Sequence, residues 1–242
     1  MRNYFDADIK RIHSKRGHLI LVVVIYVLMA IVAGFQSGNP DSYMSMADII
    51  AGSLPIFLGI VIFFAVFQDD VKAGTVQVAL GKGLSRKQVV WAKVLEGLAL
   101  TIIYYLIAAL ILSLVPAVLP ISLTSANVLD IWTTTLQSIF DTILFFNIGM
   151  IIVVATFKTN LAEITYILFA FSIIPGALNF LLGICTSKFG MPNMLPLLYD
   201  NMTGAFFKAP LTHMGSGLGI IIYIVISLWL AIYFFKKKEL EF

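Results

Sequence analysis

The chain has 242 residues, of which 60% are hydrophobic and 12% charged, and its mean hydropathy is +0.98. Soluble domains carry about 25% charged residues, so this composition excludes an ordinary soluble domain and indicates an integral membrane protein. The net charge of +3 gives no indication of a nucleic-acid partner. The single cysteine, Cys185, excludes an intrachain disulfide and a cysteine-based metal cluster.

The first 18 residues are polar and basic, and three apolar side chains, Phe5, Ile9 and Ile12, recur among them at helical spacing. This pattern predicts an amino-terminal interfacial helix that lies on the inner membrane surface. A basic flank of the first span, without such a helix, is the alternative. A signal peptide would have a shorter charged lead, which favours a retained anchor.

Six apolar runs follow, each long enough to cross the ~30 Å hydrocarbon core of a bilayer. They predict an all-α integral membrane fold in a single domain, with spans at about 19–35, 49–67, 94–115, 131–157, 164–184 and 215–235. The turn-rich residues 36–48 predict an outer loop, and Pro175-Gly176 predicts a kink within the fifth span. Residues 186–214 mix prolines and glycines with apolar pairs, which predicts either re-entrant short helices or an irregular outer loop.

A polar segment, residues 67–94, separates the second and third apolar runs. Asp69 and Asp70 predict the start of a helix, because acidic side chains favour a helix amino terminus. Apolar residues at i, i+3 and i+7 make this helix amphipathic; they are Ala73, Val76 and Leu80. We interpret it as a cytoplasmic docking element, although an ordinary basic inner loop has a similar composition.

The end of this helix and the start of the next are both marked in the sequence. Gly81-Lys82-Gly83 predicts the end, because glycine adopts the left-handed conformation of a helix terminus at little steric cost. Ser85 and Gln88 have the spacing of a capping box, which predicts that a second helix begins there. The segment is therefore predicted to form a helix, a tight turn and a second helix.

The fourth span differs from the others because it carries Thr134, Ser138 and Asp141 at i, i+4 and i+7. A carboxylate within a span costs about 2.5–3.5 kcal/mol on insertion scales, so this face should turn toward protein or water. The three residues are candidates for the lining of a translocation path. A hydrogen bond from Asp141 to a neighbouring helix is an equally good interpretation.

The lysines and arginines are distributed unevenly between the two sides of this topology. Of the 16, 14 fall on one side, and Lys188 and Lys208 fall on the other. The positive-inside rule therefore predicts that both termini and the docking segment are cytoplasmic. We expect a multi-pass protein of the plasma membrane.

The order of residues in the polar segment resembles that of the ABC-2 type transporter permeases. The residues that carry the resemblance are Phe67, Asp70, Gly74-Thr75, Leu80, Gly83, Ser85-Arg86 and Lys93. In that family a Phe and an acidic residue precede a Gly-Thr pair, a leucine, a Ser-Arg pair and a lysine entering the third span. The sequence departs from the pattern in its Asp69-Asp70 pair and in Gly83-Leu84, which stands where a proline-containing turn is commoner.

This resemblance implies a transport subunit that works with a separate ABC ATPase in two copies and with a second permease copy or paralogue. ATP and Mg would be bound by the ATPase; this sequence has no G-x-x-x-x-G-K-[ST] phosphate loop and is not expected to be an enzyme. Asp70 and Arg86 would be polar contacts to the ATPase, and Val76 and Leu80 apolar anchors. The full set of ATPase-coupling residues that the resemblance implies is Asp70, Gly74, Thr75, Val76, Leu80, Gly83, Ser85 and Arg86.

The apolar spans favour an amphipathic peptide or lipid-like substrate. The length of this chain also fits the short permeases of this family, which resemble those that export antimicrobial peptides. Lipid, polysaccharide and drug exporters share the architecture. An ion-coupled secondary carrier that uses Asp141 is the alternative function. An intramembrane enzyme is disfavoured because the predicted spans contain no histidine.

Overall fold

The computed structural model describes residues 2–35, 39–72, 75–119 and 121–238, and all regular elements in these ranges are helices. In chain order the α-helices are α1 (Arg2–Ser14), α2 (Arg16–Gly34), α3 (Pro40–Gly52), α4 (Ile60–Lys72), α5 (Thr75–Gly81), α6 (Arg86–Val118), α7 (Ser125–Thr156), α8 (Thr159–Ala170), α9 (Ile173–Phe189), α10 (Tyr199–Lys208) and α11 (Met214–Lys237). A π-helical turn (Pro55–Gly59) joins α3 to α4, and a 3-10 turn (Leu195–Leu197) precedes α10.

Within the described ranges, five helical segments are long and apolar enough to cross a membrane: α2, Pro40–Gln68, α6, α7 and α11. The count becomes six if α8 and α9, which are bent by 59° relative to each other, form one broken span. The prediction of an all-helical fold is thereby confirmed for the described residues, and the length and hydropathy of these segments indicate a membrane protein.

The second span is longer than predicted. Its helix begins at Pro40, so residues 40–48 are helical and do not form the outer loop that their turn-forming composition predicts. Asn39 accepts a hydrogen bond from the Asp41 amide through its side chain, at 3.0 Å, and Pro40 occupies the first helical position. Asparagine followed by proline is therefore a helix start here, since proline lacks the amide that would be left unpaired.

The helix of the third span begins at Arg86, where the Ser85 capping box predicts its start, and the fourth span starts earlier than predicted, at Ser125, because a second capping box precedes it. In the second box, Thr124 accepts a hydrogen bond from the Asn127 amide, and the Asn127 side chain accepts one from the Thr124 amide. Pro116 follows the predicted end of the third span at residue 115, yet it lies within the last turn of α6.

The predicted kink at Pro175-Gly176 is wrong. The bend lies at Phe171 and Ser172, and Ser172 has a positive φ of 54°. Pro175 is the third residue of α9, where the backbone amide would have no partner within the helix. Proline at that position breaks no hydrogen bond, so it does not bend the helix.

Helix α7 lies at the centre of the bundle and packs against α3, α6, α8, α10 and α11. Two glycines allow close approach of aromatic rings at these contacts. A Cβ atom at Gly149 on α7 would lie 2.5 Å from the Phe63 ring, and one at Gly97 on α6 would lie 2.5 Å from the Phe146 ring. The rings of Phe63 and Phe146 themselves pack edge to face at 5.7 Å.

Three parts of the chain that are far apart in sequence meet at one end of the bundle. Helix α1 packs against α6, α5 packs against α4 and α6, and Arg86 binds the carboxyl-terminal end of α11. We call this end the basic end, since Lys82, Lys87 and the lysines that end α11 lie there.

Candidate functional site

The predicted docking helix is present but shorter than expected. Residues 69–72 complete α4, so Asp69 and Asp70 lie in the last turn of one helix and do not start the next. The expectation that they form a helix amino terminus is wrong, because the helix of the second span continues through these polar residues. Gly74 and the Asp70 side chain lie outside the described part of the structure. Thr75 is the first residue of α5.

The end of α5 is as predicted. The Leu84 amide donates to the Ala79 carbonyl at 3.2 Å, and the Gly83 amide donates to the Leu80 carbonyl at 2.9 Å. Gly83 has a φ of +89°, which a residue with a Cβ rarely adopts. This pair of bonds is a Schellman motif, and glycine at its left-handed position explains why α5 ends after Gly81.

The predicted capping box of α6 is also confirmed. The Ser85 hydroxyl accepts from the Gln88 amide at 3.2 Å, and the Ser85 amide donates to the Gln88 side chain at 2.8 Å. Both ends of the turn between α5 and α6 are thus determined by local interactions, so α5 is held at a defined distance from α6.

Helix α5 has a face toward the bundle and a face away from it. Ala79 is buried, and Val76 and Leu80 are half-buried against the hydrophobic core of this chain. Val76 lines a small gap in which side chains of α4, α6, α7 and α11 meet; these include Phe67, Val89, Val90, Met150, Val153 and Phe235. The outward side, which we call the docking face, consists of Gln77, Val78, Gly81 and Lys82, and Val78 is 54% exposed.

Arg86 has a role within the chain that the sequence did not indicate. Its Nη1 donates to the backbone carbonyls of Phe235, Lys236 and Lys238, at 2.8, 2.7 and 2.6 Å. The first two carbonyls belong to the last turn of α11, where a helix leaves its carbonyls without helical amide partners, and the third belongs to Lys238, which follows the helix. Arg86 therefore caps α11 with a positive charge, which also suits the negative end of the helix dipole.

A buried ionic cluster lies beside this site. The ammonium of Lys93 donates to Asp8 Oδ2 at 2.6 Å and to Glu96 Oε2 at 2.8 Å, and Asp8 also pairs with Arg11 at 3.4 Å. Lys93 is 3% exposed and Glu96 is fully buried. The cluster fixes α1 to the first turns of α6. The sequence analysis did not identify this cluster; the i, i+3 spacing of Lys93 and Glu96 was the available signal.

The candidate path residues on α7 do not share one neighbour. The Ser138 hydroxyl donates to the Ala51 carbonyl at 2.7 Å, and the Thr134 hydroxyl donates to Asp48 Oδ1 at 3.4 Å, so both contact α3. Asp141 instead lies beside Thr203 of α10, and no described group hydrogen-bonds its buried Oδ1 atom. Thr134 and Ser138 therefore belong to the contact between α7 and α3, whereas Asp141 lies apart from them beside α10.

Comparisons with known proteins leave the family open: no protein-family model matches the sequence, and no curated protein matches it. The resemblance to the ABC-2 permeases therefore stays an interpretation of the order of residues in the polar segment.

Proposed function

We propose that this chain is the membrane-spanning subunit of an ATP-driven exporter that moves an amphipathic peptide or lipid-like substrate out of the cell. A separate ABC ATPase, in two copies, would supply the energy, and a second permease copy or paralogue would complete the path. The observation that carries the proposal is α5, a short helix that is held against the bundle by its inner side and whose docking face is exposed.

The packing of α5 suits it to transmit force. Its inner side contacts the chain where α4, α6, α7 and α11 come together, and its carboxyl-terminal end is fixed to α6 by the Schellman motif and the capping box. Because protein interiors are close-packed, a displacement of α5 must shift the helices beneath it. A soluble partner that binds the docking face would act on the spans in this way.

The course of the chain supports six crossings. Phe157 follows α7 and lies 6.1 Å, ring to ring, from Phe235 near the end of α11, so α7 and α11 both end at the basic end. Helix α11 is 24 residues long and begins about 36 Å away. The chain between them must cross the bundle through α8 and α9. An even number of crossings would leave both termini on the basic side, which we propose is the cytoplasmic side of the plasma membrane.

The first experiment is purification of the chain from its own membranes in mild detergent. We expect a soluble ATPase to copurify in stoichiometric amount. Val78→Asp, on the docking face, should remove the ATPase, whereas Val118→Asp should not, because Val118 is 83% exposed at the other end of α6. Retention of the ATPase by the Val78 variant, or its absence from the unaltered chain, would contradict the proposal.

Variants at the two anchors implied by the resemblance test something different. Val76 and Leu80 pack against the core of this chain, so Val76→Asp or Leu80→Asp would remove exporter activity through the chain's own packing as well as through any partner. Their binding role stays a prediction, and Val78 gives the cleaner test because its side chain makes fewer internal contacts.

An ion-coupled carrier is the second candidate function, and Asp141 favours it. A buried carboxylate oxygen without a hydrogen-bond partner is a suitable place for a proton or a small cation. In that case reconstituted vesicles would show proton- or cation-dependent uptake without an ATPase, and Asp141→Asn would abolish it. Uptake that is unchanged in the Asn variant would exclude this mechanism.

A further inference from the structure

A cleft opens between the fifth-span helices and the rest of the bundle. Helix α9 bends away at Ser172 and packs against α8 and the 3-10 turn, which leaves a cavity of about 350 Å³ between α9, α7 and α11. That volume is within the range of about 300–1,000 Å³ typical of small-molecule sites. Apolar and aromatic side chains form most of its wall, among them Leu144, Phe145, Ile148, Phe169, Leu178 and Ile226.

The polar groups of the cleft gather where the 3-10 turn and the start of α10 cover it. Tyr199 and Tyr223 pack edge to face at 5.6 Å. Their hydroxyls donate to the carbonyls of Phe140 and Leu197, at 2.7 and 3.0 Å. The Asn179 amide group donates to the Pro175 carbonyl at 3.1 Å, and its oxygen accepts from Asn201 at 2.9 Å. These polar groups are therefore already satisfied within the chain.

Asp200 is the exception among the polar groups of the cleft. Its half-buried carboxylate lines the cleft, and no described side chain forms a hydrogen bond or an ion pair with it. A second acid, Asp141, lies near enough on α7 for the two charges to interact. The described residues that line the cleft include no lysine, arginine or histidine. The cleft thus combines a long apolar wall with negative charge at one end.

We propose that this cleft binds a cationic amphiphile, with its ammonium or guanidinium head at Asp200 and its hydrocarbon tail along α7 and α11. A buried carboxylate gains most from a partner that is both oppositely charged and able to donate hydrogen bonds, and the apolar wall favours an aliphatic or aromatic tail. The inference extends the proposed function by naming the class of its substrate. It rests on that function only for the statement that the ligand is then transported.

The probe for this proposal is a long-chain alkylamine that carries a diazirine, used with the full chain in nanodiscs of zwitterionic lipid. After illumination we expect labels on cleft residues such as Phe169 and Ile226, located by mass spectrometry. Dodecylamine should compete with the probe, whereas dodecanol and dodecanoate, which have similar tails without positive charge, should not. Labelling spread over the lipid-exposed helices, or equal competition by dodecanol, would overturn the proposal.

Two variants separate the head site from the tail site. Asp200→Asn should reduce cleft labelling about tenfold or more, as expected for the loss of a charge-assisted bond, while Asp130→Asn, at an exposed aspartate, should leave it unchanged. Ile226→Trp should reduce labelling by filling the apolar part. Full labelling of the Asp200 variant would mean that the cleft holds only hydrocarbon and would contradict the proposed head site.

The pH dependence gives a further readout. Burial raises the pKa of the Asp200 carboxyl above its ordinary value. Labelling should therefore fall as the pH falls through that raised pKa, because the carboxyl becomes neutral while the amine stays charged; the other ionisable groups near Asp200 are Asp141, Tyr199 and Tyr223. The Asp200→Asn variant should show a smaller dependence, and an unchanged one would count against Asp200 as the head site.

None of these measurements requires ATP or a partner, so the two proposals can fail separately. Selective cleft labelling in a chain that copurifies no ATPase would refute the exporter and retain the binding site. An ATPase complex without selective labelling would refute the binding site and retain the exporter.

Discussion

The ammonium group of Lys93 lies between the carboxylates of Asp8 and Glu96, in a position from which solvent is almost excluded. Charges buried in this way are tolerated only while each has a partner in good geometry, because their hydration has been lost. Lys93 therefore adds an ionic attachment of α1 to the apolar contact that the fully buried Ile12 makes with the bundle.

Replacement of Lys93 should destabilise the protein strongly. Lys93→Met leaves the buried Glu96 without this cation, whereas Asp8 keeps its pair with Arg11, and removal of one partner of a buried pair typically costs about 3–5 kcal/mol. The measurement is the unfolding temperature in detergent. Limited proteolysis reports whether α1 has been released from the bundle.

Glu96→Gln is the matched control for this prediction. It keeps the shape of the side chain and leaves the Lys93–Asp8 pair in place, so its unfolding temperature should lie well above that of the Met variant. Equal stability of the two variants would show that charge pairing contributes little to holding α1.

The sequence was most informative about residues whose partners are near in the chain. The ends of α5 and α6 follow from Gly83, Ser85 and Gln88, which act over three to five residues. The Lys93–Asp8 pair and the Arg86 cap join positions 85 and about 150 residues apart. No local pattern encodes such contacts, since they depend on which helix faces come together.

At the level of whole helices, the predicted boundaries were wrong where a helix continues through residues that usually end one. Helix α4 includes Asp69 and Asp70, α3 begins within a turn-rich segment, and α6 includes Pro116. Propensities of single residues are worth about 1 kcal/mol or less, apart from proline, so the packing of a long apolar helix overrides them. Proline is tolerated at Pro40 and Pro175 because each lies in the first turn of its helix.

The bend between α8 and α9 should not depend on Pro175. Spin labels introduced at Ile164 and Leu181, both exposed, in a Cys185→Ser background should give the same distance distribution with and without Pro175→Ala. The reason is that the bend is located at Phe171 and Ser172.

A second substitution completes that experiment. Ser172→Val should shift the distribution, since a β-branched residue rarely adopts the positive φ found there. A longer distance in the Pro175 variant would restore the proline as the cause of the bend.

For the whole molecule, the sequence predicted the helical membrane class and the number of apolar segments well, since both follow from hydropathy. It predicted a bend within the fifth apolar run but placed it at Pro175-Gly176, and it did not predict the cleft beside the two helices. The two halves have similar composition, and the division is made by backbone conformation at two residues.

The sidedness of the protein can be tested with an impermeant maleimide. In intact cells that carry the Cys185→Ser background, Lys208→Cys should react from outside, whereas Lys82→Cys should react only after permeabilisation. The positive-inside distribution and an odd number of crossings between the two positions require this result. Labelling of both residues from the same side would exclude the proposed course of the chain.

The two long-range attachments at the basic end have a mechanical consequence. Arg86 holds α11 and Lys93 holds α1, so the first three turns of α6 join both to one rod. Helix α6 has 33 residues and is about 50 Å long. Because the helix is this long, a tilt of about 10° at its base would move its opposite end by about 9 Å. A large displacement at the far end of α6 therefore follows from the length of the helix and requires only a small rearrangement at the basic end.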